Sequence, residues 1–246
     1  MKELLLEGER IDDIGRGMKI IQNSLTPCFS IDAVLLADFA ASTAASCCRV
    51  IDLGTGTAIL PLILSRRMPE ADFWAVEIME VMCSQARRSV DINGLGNRIS
   101  IIPGDIRHIE DICGRESADL VVCNPPYFRI GHGRSNGDPL FAAARQEISC
   151  TLADAVAAAH KVLKSRGHFC LILRAERTAE LMTLLETGGF ACSKLRPVQP
   201  YAAENANLVL LEAIKEGRNG ITVMPPLIVY ESPGIYTKEI MNIYER

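Results

Sequence analysis

The stretch Asn124-Pro125-Pro126-Tyr127 carries the most distinctive chemistry in the sequence, because it abruptly ends a predicted apolar strand, 118–123. Proline has a fixed φ and no N–H, so the neighbouring carbonyl groups are held as acceptors in one geometry. The Asn124 side chain adds another carbonyl acceptor, and Tyr127 offers a flat ring. Together these groups suit a planar substrate group that bears an NH2. A proline-rich turn would explain the prolines but needs neither the amide nor the ring.

A turn that contains Gly54, Gly56 and Thr57 follows another predicted strand, 49–53, and opens a predicted helix. Glycine lets the backbone take positive φ and approach a ligand closely. The turn lacks the third glycine of the dinucleotide fingerprint and the lysine of a P-loop. It carries Asp52, which suits a cationic or amine-bearing ligand better than a pyrophosphate. We therefore expect a cofactor here, with a plain tight turn as the alternative.

The next two predicted strands each lead to an acid that is followed by an isoleucine. Glu77 precedes Ile78, and Asp105 precedes Ile106. A carboxylate at the end of the second strand can accept both hydroxyls of a ribose. Asp105 can accept the exocyclic amine of an adenine while the two isoleucines sandwich the ring. Either acid alone would be interpreted as a surface or turn residue.

The elements that must position these residues alternate between strand and helix, which predicts an α/β fold with a doubly wound, mostly parallel seven-stranded sheet and helices on both faces. Ligands of such sheets bind outside the carboxyl ends of the strands. The predicted strands are 49–53, 71–76, 99–102, 118–123, 167–173, 190–196 and 208–213. The predicted helices are 32–40, 59–68, 81–93, 151–163 and 176–186. We expect a lead-in over 1–30, the main domain over 31–216, and a tail over 217–246 that packs on it.

The bulk composition excludes several classes of protein. A chain of 246 residues with 48% hydrophobic content is enough for one large domain with small additions. The net charge of −4 restricts any nucleic-acid contact to a local basic patch. No signal peptide and no membrane span are expected, since no apolar run approaches ~18 residues. Nine cysteines without a C-x-x-C pair predict reduced thiols in a cytoplasmic protein and no metal site.

The order of these motifs resembles a known family. Gly54 and Gly56, Glu77, Asp105 and then Asn-Pro-Pro-Tyr resemble the class I methyltransferases that use S-adenosylmethionine and act on amino groups. The stretches DDIGRGMKIIQ, FSIDAVLLADFA, DLGTGTAILPLIL, VVCNPPYF, RQEISCTLADAV and MPPLIVY are similar to the bacterial methyltransferases that make N6-methyladenosine in the anticodon loop of valine tRNA. The resemblance spans nearly the whole chain.

The resemblance implies a class I Rossmann-like fold, S-adenosylmethionine as cofactor, and methyl transfer to the N6 amine of an adenosine in tRNA. Asn124 and the Pro125 carbonyl would accept hydrogen bonds from N6, which stabilises the positive charge that develops there. Tyr127 would stack on the base, which must be turned out of its loop to reach the site.

The resemblance also implies how the cofactor is held. Asp52 would face the methionine amine, Glu77 the ribose and Asp105 the adenine. Ser30 and Asp32 precede or begin the first helix, where related enzymes close over the methionyl end. A helix N-cap is an equally good interpretation of Asp32.

Basic residues after Tyr127 and towards the tail are the candidates for RNA contact: Arg129, Arg134, Arg145, Lys215 and Arg218, with Lys194 and Arg196 as further possibilities. Exposed arginines are often only solvated. The tail also departs from the family, which often has Lys-Gly-Gly where this chain has Lys215-Glu216-Gly217. That departure puts an RNA contact at Lys215 in doubt.

Several alternatives stay open at this point. Asn-Pro-Pro-Tyr also serves glutamine methylation in translation release factors, but those enzymes carry an N-terminal helical domain that this chain lacks. A non-catalytic RNA-binding protein, a dinucleotide oxidoreductase and a DNA adenine methyltransferase fit the motifs less well. We expect a monomer or a weak homodimer.

Overall fold

The computed structural model describes residues 5–23, 28–44, 46–125, 150–218 and 220–245. The strands are β1 (Glu9–Asp13), β2 (Lys19–Asn23), β3 (Arg49–Leu53), β4 (Asp72–Glu77), β5 (Ile99–Pro103), β6 (Ala118–Cys123), β7 (Leu163–Arg174), β8 (Phe190–Gln199), β9 (Leu208–Lys215), β10 (Thr222–Val223), β11 (Leu227–Ile228), β12 (Tyr230–Ser232) and β13 (Ile235–Tyr236). The helices are α1 (Ile31–Thr43), α2 (Ile59–Arg67), α3 (Glu80–Ile92), α4 (Ile109–Cys113), α5 (Leu152–Val162), α6 (Thr178–Thr187) and α7 (Lys238–Glu245).

The central sheet has the strand order β10-β8-β9-β7-β6-β3-β4-β5. Strands β3 to β7 pair in parallel, and β9 runs antiparallel to both of its neighbours, β7 and β8. The predicted doubly wound, mostly parallel sheet of seven strands is confirmed. The tail adds β10 and β11, two strands of two residues that pair with β8 and that the sequence did not predict.

The strands are apolar on both faces because helices cover both sides of the sheet. One core layer lies between the sheet and α1, α2 and α3, and the other lies between the sheet and α4, α5 and α6. Neighbouring residues of β3 enter opposite layers, Val50 the first and Ile51 the second. Because β3 to β7 are parallel, the polar residues that follow their carboxyl ends lie at the same edge of the sheet.

The lead-in and the tail both pack on this domain. The β1–β2 hairpin lies on α3, where the Ile21 N–H donates to Ser89 Oγ at 2.9 Å and Glu9 forms an ion pair with Arg88. In the tail, Arg196 of β8 donates to Glu239 Oε1 of α7 at 2.6 Å. The predicted boundaries at residues 30 and 216 stay predictions. Among the described residues no helix is both long and apolar enough to cross a membrane.

Candidate cofactor cleft

A cleft of about 510 Å3, counting its open mouth, lies at the carboxyl ends of β3, β4, β5 and β6. The cleft brings together these residues predicted from the sequence: Gly54, Glu77, Ile78, Asp105, Ile106, Asn124 and Pro125. The strand-end prediction is therefore correct in its geometry, since residues from four separate stretches line one cavity.

The glycine-rich turn wraps over the end of β4. Gly54 and Gly56 have φ of +73° and +59°, a region that favours glycine. The N–H groups of Gly54 and Thr55 both donate to the Val76 carbonyl, at 2.9 and 3.0 Å. A Cβ added at Gly54 would meet no described protein atom within 4 Å. Backbone conformation, not protein packing, requires glycine there, and space remains above the turn for a ligand.

Glu77 is held in place by the protein before any ligand binds. Its carboxylate is 7% exposed and accepts from the N–H of Gly56 through Oε2 and from the N–H of Met79 through Oε1, both at 2.9 Å. Each oxygen keeps a further lone pair for a ligand. The Glu77 side chain therefore ties the glycine-rich turn to the start of α3 and presents two aligned acceptors at the cleft.

Asp105 is held by its own neighbour. It caps the short 3-10 turn Ile106–His108 by accepting from the Arg107 N–H, and it also accepts from the Arg107 guanidinium. These hydrogen bonds hold the pKa of Asp105 below its usual value. The contact of Arg107 with Asp105 was not predicted from the sequence, although Arg107 lies only two residues after Asp105.

The walls of the cleft beside these acids are apolar. Ile106 is 8% exposed and belongs to a core layer, whereas Ile78 is 39% exposed although it is large and apolar. An apolar side chain left open at the cleft fits a ring that covers it on binding. Both predicted isoleucines therefore line the cleft, and their contact with an adenine stays a prediction.

Asp52 has no hydrogen-bond partner in the part of the chain that the structure describes. Its side chain is 1% exposed, and within the described residues neither of its carboxylate oxygens has a partner. Burial raises the pKa of Asp52 to about 7 and the negative charge of Glu77 adds to the increase. The nearby Thr55 hydroxyl opposes the increase, although its geometry does not make a hydrogen bond. A buried acid without a partner fits a site that a cationic group completes.

The strand that ends in the Asn-Pro-Pro-Tyr motif reaches the same cleft. Asn124 and Pro125 line it directly after β6, beside the buried Cys123. Tyr127 lies outside the described residues, so its predicted stacking role stays a prediction. Pro125 has no N–H to donate to a neighbouring strand, and the pairing of β6 ends at Cys123.

Four residues predicted to bind the cofactor do not line this cleft: Asp52, Gly56, Thr57 and Asp32. Thr57 is buried in the turn before α2, and Asp32 is buried in the first turn of α1. The N-cap of α1 is Ser30, so the interpretation of Asp32 as the N-cap is wrong. Their predicted cofactor roles stay untested by the geometry.

The predicted RNA contacts divide into three groups. Arg129, Arg134 and Arg145 lie outside the described residues. Lys215 is 4% exposed and donates to the Leu163 carbonyl at 2.8 Å, so the prediction that it contacts RNA is wrong. Because β9 runs antiparallel, its last residue lies at the edge of the sheet opposite the cleft.

The other basic candidates are also poorly placed. Arg218 is exposed but follows the end of β9 at that same opposite edge, so its predicted position near the cleft is wrong. Lys194 and Arg196 form ion pairs with Glu212 and Glu239. No cluster of His, Cys, Asp and Glu side chains suited to a metal ion occurs in the part of the chain that the structure describes.

Comparison with known proteins adds to this geometry. The family model described as "Methyltransferase domain" matches residues 44–215. A relative from Porphyromonas gingivalis named tRNA1(Val) (adenine(37)-N6)-methyltransferase is 27% identical over 242 residues, covering 96% of this chain and 90% of the relative. A relative of the same name from Tolumonas auensis is 30% identical over 164 residues, covering 66% of this chain and 67% of the relative.

A solved structure agrees with the fold. The crystal structure of a predicted O-methyltransferase from Agrobacterium tumefaciens has a TM-score of 0.70 and 25% sequence identity. The match covers 87% of this chain and 95% of that one.

Proposed function

Because the chain belongs to the methyltransferase-domain family, we propose that it transfers a methyl group from S-adenosylmethionine to the N6 amine of an adenosine in tRNA. The observation that carries the proposal is the placement of Asn124 and Pro125 in the same cleft as Glu77 and Asp105. That cleft joins acceptors for an amine to acceptors for a nucleoside cofactor. The names and coverage of the relatives support tRNA as the substrate class.

S-adenosylmethionine supplies a sulfonium methyl that is already activated for transfer. The protein therefore needs positioning more than covalent catalysis, and near-attack placement can supply about 7–11 kcal/mol. The Asn124 side-chain carbonyl and the Pro125 carbonyl accept from the two N6 hydrogens and hold the amine towards the methyl. The same acceptors stabilise the positive charge that develops on nitrogen. Tyr127 stacks on the target base.

The adenosine half of the cofactor binds the part of the cleft that the protein has already organised. Glu77, fixed by two backbone N–H groups, accepts both ribose hydroxyls. Asp105, fixed by Arg107, accepts the adenine amine. Ile78 and Ile106, which both line the cleft, would contact the two faces of the ring. Gly54 and Gly56 allow the backbone to approach the ligand.

The methionine half carries the cationic amine, and Asp52 pairs with it. The buried carboxylate without a partner supports this assignment. We also assign Ser30 and Asp32, at the start of α1, and Thr57, in the turn before α2, to the methionyl end. Binding of the methionine half therefore depends on charge pairing, whereas binding of the adenosine half depends on acceptors that the protein already holds in place.

For the RNA, we assign Arg129, Arg134 and Arg145 to the substrate side of the same site. We also propose a cytoplasmic monomer or weak homodimer. All nine cysteines are free, which fits a reducing compartment.

The second candidate is methylation of a protein glutamine, because its amide is also a planar NH2 group. One assay separates tRNA methylation from glutamine methylation. In it, methyl-labelled S-adenosylmethionine is offered together with unmodified tRNA and a glutamine-containing release factor. We expect label in the RNA fraction and none in protein. Label in protein alone would move the assignment to glutamine.

A further inference from the structure

Four of the five tyrosines of the chain form one row of rings, which we call the tyrosine row: Tyr201, Tyr230, Tyr236 and Tyr244. Neighbouring ring centroids are 5.1 to 5.8 Å apart; the pairs Tyr230–Tyr236 and Tyr236–Tyr244 are stacked, and Tyr201 is tilted against Tyr230. All four side chains are half-buried. The proposed reaction assigns no role to this row.

The row is built rigidly from four separate elements. The Tyr230 N–H donates to the Pro200 carbonyl at 2.9 Å, which fixes Tyr230 beside the loop that carries Tyr201. Tyr230 and Tyr236 are direct partners in the β12–β13 hairpin. Tyr244 comes from α7, whose end is held by a hydrogen bond from Arg67 to the Ile243 carbonyl at 2.7 Å. A surface that is preset in this way loses little conformational entropy on binding.

Tyr201 lies at the same edge of the sheet as the cleft, and the row runs from Tyr201 towards the opposite edge, where α2 ends at Arg67. Strand β8 is parallel to β7, so its carboxyl end, which Tyr201 follows, is at the cleft edge. Three strand positions separate β8 from β6, which is about 14 Å at the usual strand spacing. Nucleotides next to a base in the cleft can span that distance.

The two ends of the row differ in charge. At one end Tyr244 shares a small cleft with Arg66 and Arg67. Burial lowers the pKa of Arg66, and the nearby positive charges of Arg16, in the β1–β2 turn, and Arg67 lower it further. Arg67 pairs with Asp38, but Arg16 and Arg66 form no ion pair within the described residues. This group, Arg16, Arg66 and Arg67, therefore carries excess positive charge.

The other end of the row, which is Tyr201, differs in its packing and in the charge of its neighbours. Tyr201 stacks with one ring among the described residues and is not packed against either core layer, whereas the other three tyrosines are. The exposed acid Glu204 lies in the same turn, where its N–H donates to the Tyr201 carbonyl. Phosphates are favoured beside the arginines, and an uncharged aromatic group is favoured beside Tyr201.

We propose that the tyrosine row and the arginine group form a second RNA-binding surface, on which unpaired nucleotides that flank the target adenosine stack against Tyr201 while the phosphate backbone contacts Arg16 and Arg66. This inference rests on the proposed function and extends it. Stacking on aromatic side chains is how unpaired RNA bases are commonly bound. The surface uses two segments outside the cleft, the β1–β2 turn and the tail after Met224.

The test measures binding of unmodified tRNA to the full chain by filter binding, with S-adenosylmethionine affinity and thermal unfolding measured in parallel. Tyr201→Ala is expected to raise the tRNA Kd about tenfold, and Tyr201→Phe to stay within twofold of wild type, because the ring and not the hydroxyl stacks. Cofactor affinity should not change in either variant. Because Tyr201 lies outside the core layers, both variants should fold.

A charge variant tests the other end. Arg16→Asn, which tolerates the positive φ at this position, should raise the tRNA Kd two- to threefold and reduce its salt dependence. Arg115→Gln, an exposed cation that pairs with Glu110 of α4 on the other face of the sheet, is the control and should have no effect.

The outcomes separate the two proposals. If wild type binds and methylates tRNA but Tyr201→Ala binds it equally well, the second surface is refuted and the proposed function stands. If wild type neither binds nor methylates tRNA, the proposed function fails and this inference fails with it.

Discussion

Two acids at the ends of neighbouring strands are prepared for a ligand in opposite ways. Glu77 and Asp52 follow the same sequence pattern, and both are almost fully buried. Glu77 accepts two backbone hydrogen bonds, whereas Asp52 has no partner in the described residues and its pKa is raised by burial to about 7. Glu77 therefore has hydrogen-bond partners in the protein before the ligand binds, whereas Asp52 would gain its partner from the ligand.

The difference indicates how the cofactor is distributed over the cleft. A neutral sugar gains from acceptors that are already fixed, because their orientation costs nothing at the moment of binding. A cationic amine gains most from a carboxylate that lacks any other partner, because the low dielectric of a buried site strengthens the pair. Stability and affinity should therefore change in the same direction at Glu77 and in opposite directions at Asp52.

The largest effect is expected for Glu77→Gln. The amide NH2 would face a backbone N–H of Gly56 or Met79, so a buried donor loses its acceptor, at a cost of about 1–3 kcal/mol in the free energy of unfolding. Affinity for S-adenosylmethionine should also fall about 100-fold, since two charge-assisted hydrogen bonds to the ribose weaken. Chemical denaturation and calorimetry measure both, with the exposed Glu70→Gln as matched control. Unchanged affinity would remove Glu77 from the site.

Asp52→Asn should stabilise the cofactor-free protein at pH 8. The folded-state pKa of Asp52, about 7, lies above the pKa of 3.8 that an aspartate has in the unfolded chain, so folding favours the protonated form. The free energy of unfolding of wild type should therefore fall by roughly 2–3 kcal/mol between pH 5 and pH 8 relative to the variant. Denaturation across this pH range measures the difference. Parallel curves for the two proteins would contradict an unpartnered Asp52.

The same variant should bind S-adenosylmethionine about tenfold more weakly at pH 8, where wild-type Asp52 is mostly ionised. Loss of affinity together with gain in stability is the signature that separates Asp52 from Glu77. Affinity equal to wild type would place the cofactor amine elsewhere.

The smallest effect is expected for Ile78→Ala, which tests the wall next to Glu77. Because Ile78 is 39% exposed, its truncation should change the free energy of unfolding by less than about 1 kcal/mol. Affinity for S-adenosylmethionine should fall about three- to fivefold as contact with the adenine is lost. Val81→Ala, an exposed apolar residue in the first turn of α3, is the control. Equal effects of the two variants would argue against adenine at Ile78.

The sequence predicts the sheet and the cleft well because both depend on local signals. Each predicted strand is a short apolar run in the sequence, and each polar residue predicted to line the cleft follows the end of such a run. Helix ends were predicted to within a few residues, and β7 begins at Leu163, four residues before the predicted Gly167, because Leu163 already has an extended backbone.

The failures come from tertiary geometry. Lys215 looked like a free basic residue, but the antiparallel direction of β9 carries it to the opposite edge and buries it against the Leu163 carbonyl. The short connection from β8 to β9 was a usable signal of that direction, since parallel strands need a long crossover. The tyrosine row had no local signal, because its members are scattered over more than forty residues without a period.

The most direct test of the proposed chemistry uses S-adenosylmethionine with a trideuterated methyl group, unmodified tRNA, and mass spectrometry of the digested nucleosides. Wild type should yield N6-trideuteromethyladenosine. Asn124→Ala should lose at least about 100-fold in turnover while it still binds cofactor. Asn97→Ala, an exposed asparagine before β5, should behave as wild type. Label on any other nucleoside position, or undiminished turnover in Asn124→Ala, would contradict the assignment of the strand-end acceptors to an adenosine amine.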